Sequence, residues 1–170
     1  RYDSHGNNNF FDNNTVGNGV GKYIISSDFE KDNNEYLNIS NTAQNGLDRT
    51  GSFSIAFWYK PEDHSANECF WSTSNSNDAG GVRFLWSNNS PGYKWYLQIK
   101  DPSGEVNYTW DEDLVNGVWY YIVVVFSSSS DAELYINGIS KGGGFGGGSR
   151  TNNTLGCLLY TSDAADDETS

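Results

Sequence analysis

Residues 51–61 read GSFSIAFWYKP, a stretch in which a large apolar side chain falls at every second position. If the segment is extended, these side chains share one face, because successive side chains of a strand point to opposite sides. Pro61 ends the run, since proline cannot donate a ladder hydrogen bond. The segment therefore predicts a β-strand with one face against a core. The apolar set is Phe53, Ile55, Phe57 and Tyr59.

Similar short patterns recur along the chain, with turn residues between them. Asn137-Gly138 is the favoured two-residue turn of a β-hairpin. Residues 119–126 are apolar on both faces, which predicts a central strand. No segment carries an apolar stripe of helical period, so we expect an all-β fold of two antiparallel sheets. The other predicted strands are residues 36–39, 82–86, 95–100, 106–110 and 132–136, with a return strand from residue 139.

Charge and hydropathy exclude two classes of partner. The formal net charge of the 170 residues is -12, and phosphate backbones need clustered basic side chains, so we expect no nucleic-acid partner. The longest apolar run, residues 118–126, is strand-sized, so we expect no membrane insertion. An acidic chain suits cations or neutral ligands such as sugars. Because the sequence lacks methionine, we expect Arg1 to lie within a longer reading frame or after a processing cut.

The end of the chain changes character abruptly. Residues 157–167 read CLLYTSDAADD, which resembles one translated frame of a sequencing adapter, as in a metagenomic read that ran past its insert. We therefore predict an incomplete domain over residues 1–156 and a non-native or disordered tail over residues 157–170. A genuine disordered acidic tail is the alternative. If the tail is not natural sequence, Cys157 does not belong to the domain, and Cys69 then has no disulfide partner.

Four blocks, in order, resemble laminin-G-like domains of the concanavalin A-like lectin/glucanase superfamily. They are FEKDNNEYLNI at 29–39, GSFSIAFWYKP at 51–61, NGVWYYIVVVF at 116–126 and ELYING at 133–138. The resemblance implies a two-sheet jelly roll. The family's closing strand, expected after Gly156, is absent, and its first strand is expected before Arg1. Since one fold serves many functions, the resemblance does not fix a ligand.

The superfamily includes glucanases, whose catalytic strand carries paired carboxylates. The resemblance would assign Glu30 and Glu35 the roles of nucleophile and acid/base. A catalytic strand needs apolar residues between the acids, so that its other face packs. Here Lys31, Asn33 and Asn34 intervene, which predicts a solvated hairpin turn. We therefore expect no enzyme.

Two segments are rich in oxygen donors of the kind that Ca²⁺ prefers. Family members hold a structural Ca²⁺ through loops like the one that contains Asp3 and Asn7, and we name these two as candidate ligands. An ordinary Asx-rich turn is the alternative. Asp28, Glu30 and Asp32 alternate as a second potential donor set.

The six Trp and eleven Tyr residues are the main indication of a binding function. Sugar sites combine exposed aromatic faces with polar side chains that hydrogen-bond to hydroxyls. Strand alternation puts four polar or amphipathic residues on one sheet face, and two Trp residues end strands beside polar loops. Trp58 and Trp119 lie in strong strands and are expected in the core. The predicted ligand-binding residues are Arg83, Trp86, Tyr96, Gln98, Asn107 and Trp110.

Together these features predict a non-catalytic module of a larger extracellular, secreted or virion-surface protein. Its expected partner is a glycan or a cell-surface protein, alongside other domains of the parent chain. A structural or protein-adhesion domain is the first alternative, because the fold permits it equally. A glucanase-type hydrolase is the second.

Overall fold

The structure, a computed structural model, describes residues 8–30, 33–40, 52–62, 67–73, 81–87, 94–101, 104–127 and 131–143. The predicted tail at 157–170 lies outside these ranges. Within them the strands are all paired antiparallel, which confirms the predicted all-β fold class. No helix in these ranges is long and apolar enough to cross a membrane. The strands are β1 Phe11–Asn13, β2 Gly17–Val20, β3 Ile25–Asp28, β4 Tyr36–Asn38, β5 Phe53–Tyr59, β6 Glu68–Ser72, β7 Gly81–Trp86, β8 Trp95–Asp101, β9 Gly104–Trp110, β10 Tyr120–Ser127, β11 Asp131–Ile136 and β12 Ile139–Gly143.

Two four-stranded sheets make up the body of the domain. Sheet I has the order β12-β11-β10-β5, and sheet II has the order β6-β7-β8-β9. Strand β10 pairs with both β5 and β11, as expected of a segment that is apolar on both faces. Strands β1 and β4 form one separate pair, and β2 and β3 form another.

The hydrophobic core lies between the inward faces of the two sheets. On β10, Ile122, Val124 and Phe126 are buried, and the side chains between them point outward. On β8, Trp95 and Leu97 are completely buried. Burying one such side chain contributes about 1.5–3 kcal/mol, so the shared interior supplies the main driving force for folding. The predicted inward set of β5 packs against this core: Phe53, Ile55, Phe57 and Tyr59.

Side-chain hydrogen bonds link segments at the margins of the two sheets. The Trp110 indole, at the end of β9, donates to the Gly142 carbonyl of β12 at 2.9 Å, and so links sheet II to sheet I. The Trp95 indole donates to the Glu112 carbonyl at 2.9 Å. At the other margin the Tyr59 hydroxyl of β5 donates to the Glu68 carboxylate of β6. These bonds satisfy polar groups that would otherwise be costly to bury.

The turn between β11 and β12 forms where the sequence places it. Asn137 has φ 52° and Gly138 has φ 78°, and a type I′ turn requires this pair of positive values. The Asn137 side chain also accepts a hydrogen bond from the Tyr121 backbone at 2.9 Å. The turn is thereby tied to β10 as well as to its own two strands.

Candidate functional site

The outer face of sheet II brings together four of the six predicted ligand-binding residues. Strand register aligns Arg83 of β7 with Gln98 of β8, and Gln98 with Asn107 of β9. Tyr96 lies two residues before Gln98, on the same side of β8. All four side chains are half-buried. Three neighbouring strands thus present one row of polar groups with a phenol beside it.

Glu105, which the sequence analysis did not single out, connects this row. Its Oε1 atom accepts one hydrogen bond from the Gln98 amide at 3.1 Å and another from the Asn107 amide at 2.6 Å. The Gln98 amide also donates to the Tyr96 hydroxyl oxygen at 3.4 Å. Because Glu105 precedes Asn107 by two residues, the alternation along β9 was the signal that could have identified it.

Asn107 contributes a further acceptor. Glu105 fixes the orientation of its amide, since the carboxylate must face the NH₂ group. Among the described residues, none donates a hydrogen bond to the Oδ1 atom of Asn107, which is shielded from solvent. The row therefore combines a guanidinium donor, a carboxylate acceptor, a phenol and two side-chain amides.

The same face becomes apolar next to this row. Register aligns Cys69 of β6 with Leu85 and Leu85 with Tyr96, and both Cys69 and Leu85 are buried. Burial raises the pKa of the Cys69 thiol to about 11, although the positive charge of Arg83 opposes this shift. At neutral pH the thiol is protonated, so it is not poised as a nucleophile.

Trp86 and Trp110 lie on the opposite face of the sheet. They are 3% and 5% exposed, and both pack in the core cluster. A side chain in that position packs in the core beneath the sheet, so a ligand on the outer face would not contact it. The candidate site on sheet II is therefore built from Arg83, Tyr96, Gln98, Glu105 and Asn107, without these two residues.

The expectation that Trp58 and Trp119 lie in the core is wrong. Trp58 points away from the core on the outer face of sheet I and is 36% exposed. Trp119 is only half-buried, and the Lys60 ammonium lies 5.8 Å from its ring centroid. A position in a strong strand suggested burial, whereas the alternation of β5 sends Trp58 outward.

Three carboxylates form a candidate metal-binding cluster. One oxygen from each of Asp28, Glu30 and Glu62 lies within 4.8 Å of the other two. Asp28 is half-buried and the other two are exposed. The sequence indicated Asp28 and Glu30 but not Glu62, which lies far along the chain beyond β5. The other predicted ligands, Asp3, Asn7 and Asp32, fall outside the described residues.

Glu35 has a structural role in the turn before β4. Its buried carboxylate accepts a hydrogen bond from the Glu30 backbone N–H at 2.9 Å and one from the Asn33 side chain at 3.1 Å. Asn34 adopts φ 50°, as turn residues of its type tolerate. Both oxygens of Glu35 therefore hold the turn, as the polar residues between the two acids suggest.

Comparison with protein families identifies the sequence as a family member. The sequence model of the Laminin_G_3 family, described as the concanavalin A-like lectin/glucanases superfamily, matches residues 31–169, which is most of the chain. No curated protein matches the chain.

Proposed function

The chain belongs to the concanavalin A-like lectin/glucanase superfamily, and from that premise we propose that it is a non-catalytic module that binds glycans through the outer face of sheet II. The observation that carries the proposal is the register row of Arg83, Gln98 and Asn107. Sugar hydroxyls both donate and accept hydrogen bonds, and this row offers groups of both kinds. The Tyr96 ring beside it offers an apolar surface to the C–H face of a sugar.

Hydrogen bonding within the row favours binding over hydrolysis. A glycosidase needs two carboxyl groups that face one glycosidic bond, with one of them free to deliver a proton. Glu105 instead accepts two amide hydrogen bonds, which makes it a fixed acceptor. Glu35 is buried and holds its own turn, so it and Glu30 are not arranged as an acid and a nucleophile.

A glycan array tests the proposal. We expect the chain to retain a subset of glycans. Arg83→Ala should weaken that retention by about tenfold or more, because it removes a hydrogen bond from a charged group, and Gln98→Ala should weaken it by about two- to tenfold, because it removes a hydrogen bond between neutral groups. Asp131→Asn, on an exposed position of sheet I, is the matched control and should bind as the unaltered chain does. Capture of a protein partner with no glycan retained would favour the adhesion alternative. Release of reducing sugar that Glu30→Gln abolishes would instead restore the hydrolase.

The carboxylate cluster suits Ca²⁺, which takes oxygen ligands in flexible geometry. We infer that Asp28, Glu30 and Glu62 would supply part of its coordination shell and so hold the end of β3 against the end of β5. Running the array with Ca²⁺ and with a chelator tests whether glycan binding depends on the ion. A Ca²⁺-dependent rise in melting temperature that Glu62→Gln removes, and Asp131→Asn keeps, would support the assignment. Equal melting curves in both buffers would contradict it.

We place this module outside the cell or on a virion surface, as part of a longer protein with other domains. The glycan-recognition chemistry proposed for sheet II supports that setting. Detection of the parent protein in a culture supernatant or a virion fraction, and its absence from the cytosol, is the corresponding test.

A further inference from the structure

The outer face of sheet I carries exposed aromatic rings. Trp58 and its register partner Tyr121 are 36% and 37% exposed, and their ring centroids lie 5.2 Å apart. Tyr23, from the segment between β2 and β3, stands edge-on to Trp58 at 5.7 Å. Large aromatic side chains grouped on a surface mark interaction sites more often than they serve stability.

Each of the two Trp rings on this face has the ammonium group of a lysine close to it. The Lys22 ammonium lies 5.3 Å from the Trp58 ring centroid, and the Lys60 ammonium lies 5.8 Å from that of Trp119. Both distances fall within the range of a cation–π interaction. The surface therefore repeats one unit, an indole ring with a cation beside it.

The two units lie side by side on neighbouring segments. Trp58 of β5 aligns with Tyr121 of β10, and Trp119 comes directly before β10 with its ring beside Lys60. A polymer that presents an apolar ring face and an anionic group on each unit would match both elements of the repeat.

We propose that the strip formed by Lys22, Tyr23, Trp58, Lys60, Trp119 and Tyr121 binds a polyuronate chain. The C–H faces of the sugar rings stack on the indoles, and the uronate carboxylates pair with the two ammonium groups. The strip lies on the outer face of sheet I, whereas the row of Arg83, Gln98 and Asn107 lies on the outer face of sheet II. This proposal therefore does not depend on the proposed function, and the domain would have two separate ligand surfaces.

Charge favours this ligand over a second copy of the chain. A symmetric dimer sets the same patch of both subunits face to face, so the lysines of one copy would meet those of the other. An anionic polysaccharide meets the two ammonium groups with the opposite charge.

Affinity electrophoresis of the 170-residue chain in gels that contain polygalacturonate tests the proposal. We expect retardation that weakens as salt is added, because exposed ion pairs are screened. Fully methyl-esterified polygalacturonate keeps the rings and removes the charge, so it should retard the chain less. Dextran, which is uncharged, is the control polymer.

Variants separate the two elements of the strip. Trp58→Ala should weaken binding by about tenfold or more, as loss of a central aromatic anchor does, and Trp58→Phe should retain part of it. Lys22→Gln combined with Lys60→Gln should bind the free and esterified polymers alike. Lys100→Gln, a lysine on β8 in the other sheet, should bind as the unaltered chain does. Far-ultraviolet circular dichroism verifies that each variant is folded.

Two results would overturn the proposal. One is polygalacturonate binding that is absent or that Trp58→Ala leaves unchanged. The other is a dimer in sedimentation velocity that Trp58→Ala converts to a monomer, because a second copy would then cover the strip. Loss of glycan-array binding in Gln98→Ala would leave the gel result unaffected, so the two proposals fail separately.

Discussion

Replacing Tyr59 by Phe isolates one bond between the two sheets. The substitution removes a hydroxyl that donates to the Glu68 carboxylate and keeps the ring that packs edge-on against Phe70 at 4.7 Å. A hydrogen bond to a charged partner contributes about 1.5–3 kcal/mol to stability, and less where the partner is partly solvated. Because Glu68 is only half-buried, we expect Tyr59→Phe to lower the free energy of unfolding by about 1–2 kcal/mol at pH 7.

The stability difference between the unaltered chain and Tyr59→Phe should become smaller at alkaline pH. Burial raises the pKa of Tyr59 well above its usual range, and the charge of Glu68 raises it further. As pH rises past about 10, the unfolded chain therefore loses this proton while the folded chain keeps it. The stabilisation that results from the raised pKa of Tyr59 is fully present below pH 10. It is lost as the pH rises from 10 toward the pKa of Tyr59 in the folded chain. The loss is about 1.4 kcal/mol per pH unit, so the advantage of the unaltered chain should be nearly gone by pH 11.

Urea unfolding followed by far-ultraviolet circular dichroism at pH 7, 9, 10 and 11 and constant ionic strength measures this difference. Tyr121→Phe, which removes the hydroxyl of an exposed tyrosine on the neighbouring strand, is the matched control for loss of a phenolic hydroxyl. A stability difference between the unaltered chain and Tyr59→Phe that stays constant from pH 7 to pH 11 would refute the reasoning.

Three further perturbations are predicted. Burial raises the pKa of Cys69 to about 11, so the stabilising contribution of its protonated thiol should be lost as the pH rises from about 8.5 to 11. In urea titrations over this range, Cys69→Ala should therefore lose about 2–3 kcal/mol less unfolding free energy than the unaltered chain. Asn107→Asp places a second carboxylate beside Glu105, because the Asn107 Nδ2 and Glu105 Oε1 atoms lie 2.6 Å apart in the unaltered chain. Repulsion should raise the pKa of that pair, so we expect a deficit of about 1–3 kcal/mol at pH 7 that disappears near pH 4, whereas an equal deficit at both values would contradict the reasoning. Ile122→Ala empties a completely buried position and should cost about 2–5 kcal/mol, against less than about 1 kcal/mol for the outward-facing Val125→Ala, in the same titrations.

Much of the two sheets could be predicted because their strands alternate strongly. The segment 53–59 forms β5 with its predicted inward set, and Asn137-Gly138 forms the predicted turn. Strands β1, β2 and β3 were not predicted. They are three or four residues long, and each has a single aromatic or β-branched side chain among Asn, Asp, Gly and Ser, so no alternating pattern distinguishes them from a loop.

Alternation located the candidate site better than residue type did. It placed Arg83, Gln98 and Asn107 on one face, and the structure agrees. Trp86 was named for its position at a strand end, although the same alternation puts it with the core residues of β7. Trp58 was expected in the core because it lies in a strong strand, although alternation puts it on the face opposite Phe57 and Tyr59. Glu62 could not be found from sequence, because only the folded chain brings it beside Asp28 and Glu30.

The uneven burial of the tryptophans gives the domain two classes of intrinsic fluorophore. Trp95 and Trp110 are enclosed and hydrogen-bonded to carbonyl groups, whereas Trp58 meets solvent. A collisional quencher such as acrylamide therefore reaches Trp58 first and the enclosed indoles only when the sheets separate. One emission spectrum, resolved by quenching, can follow occupancy of the outer surface and integrity of the interior at the same time.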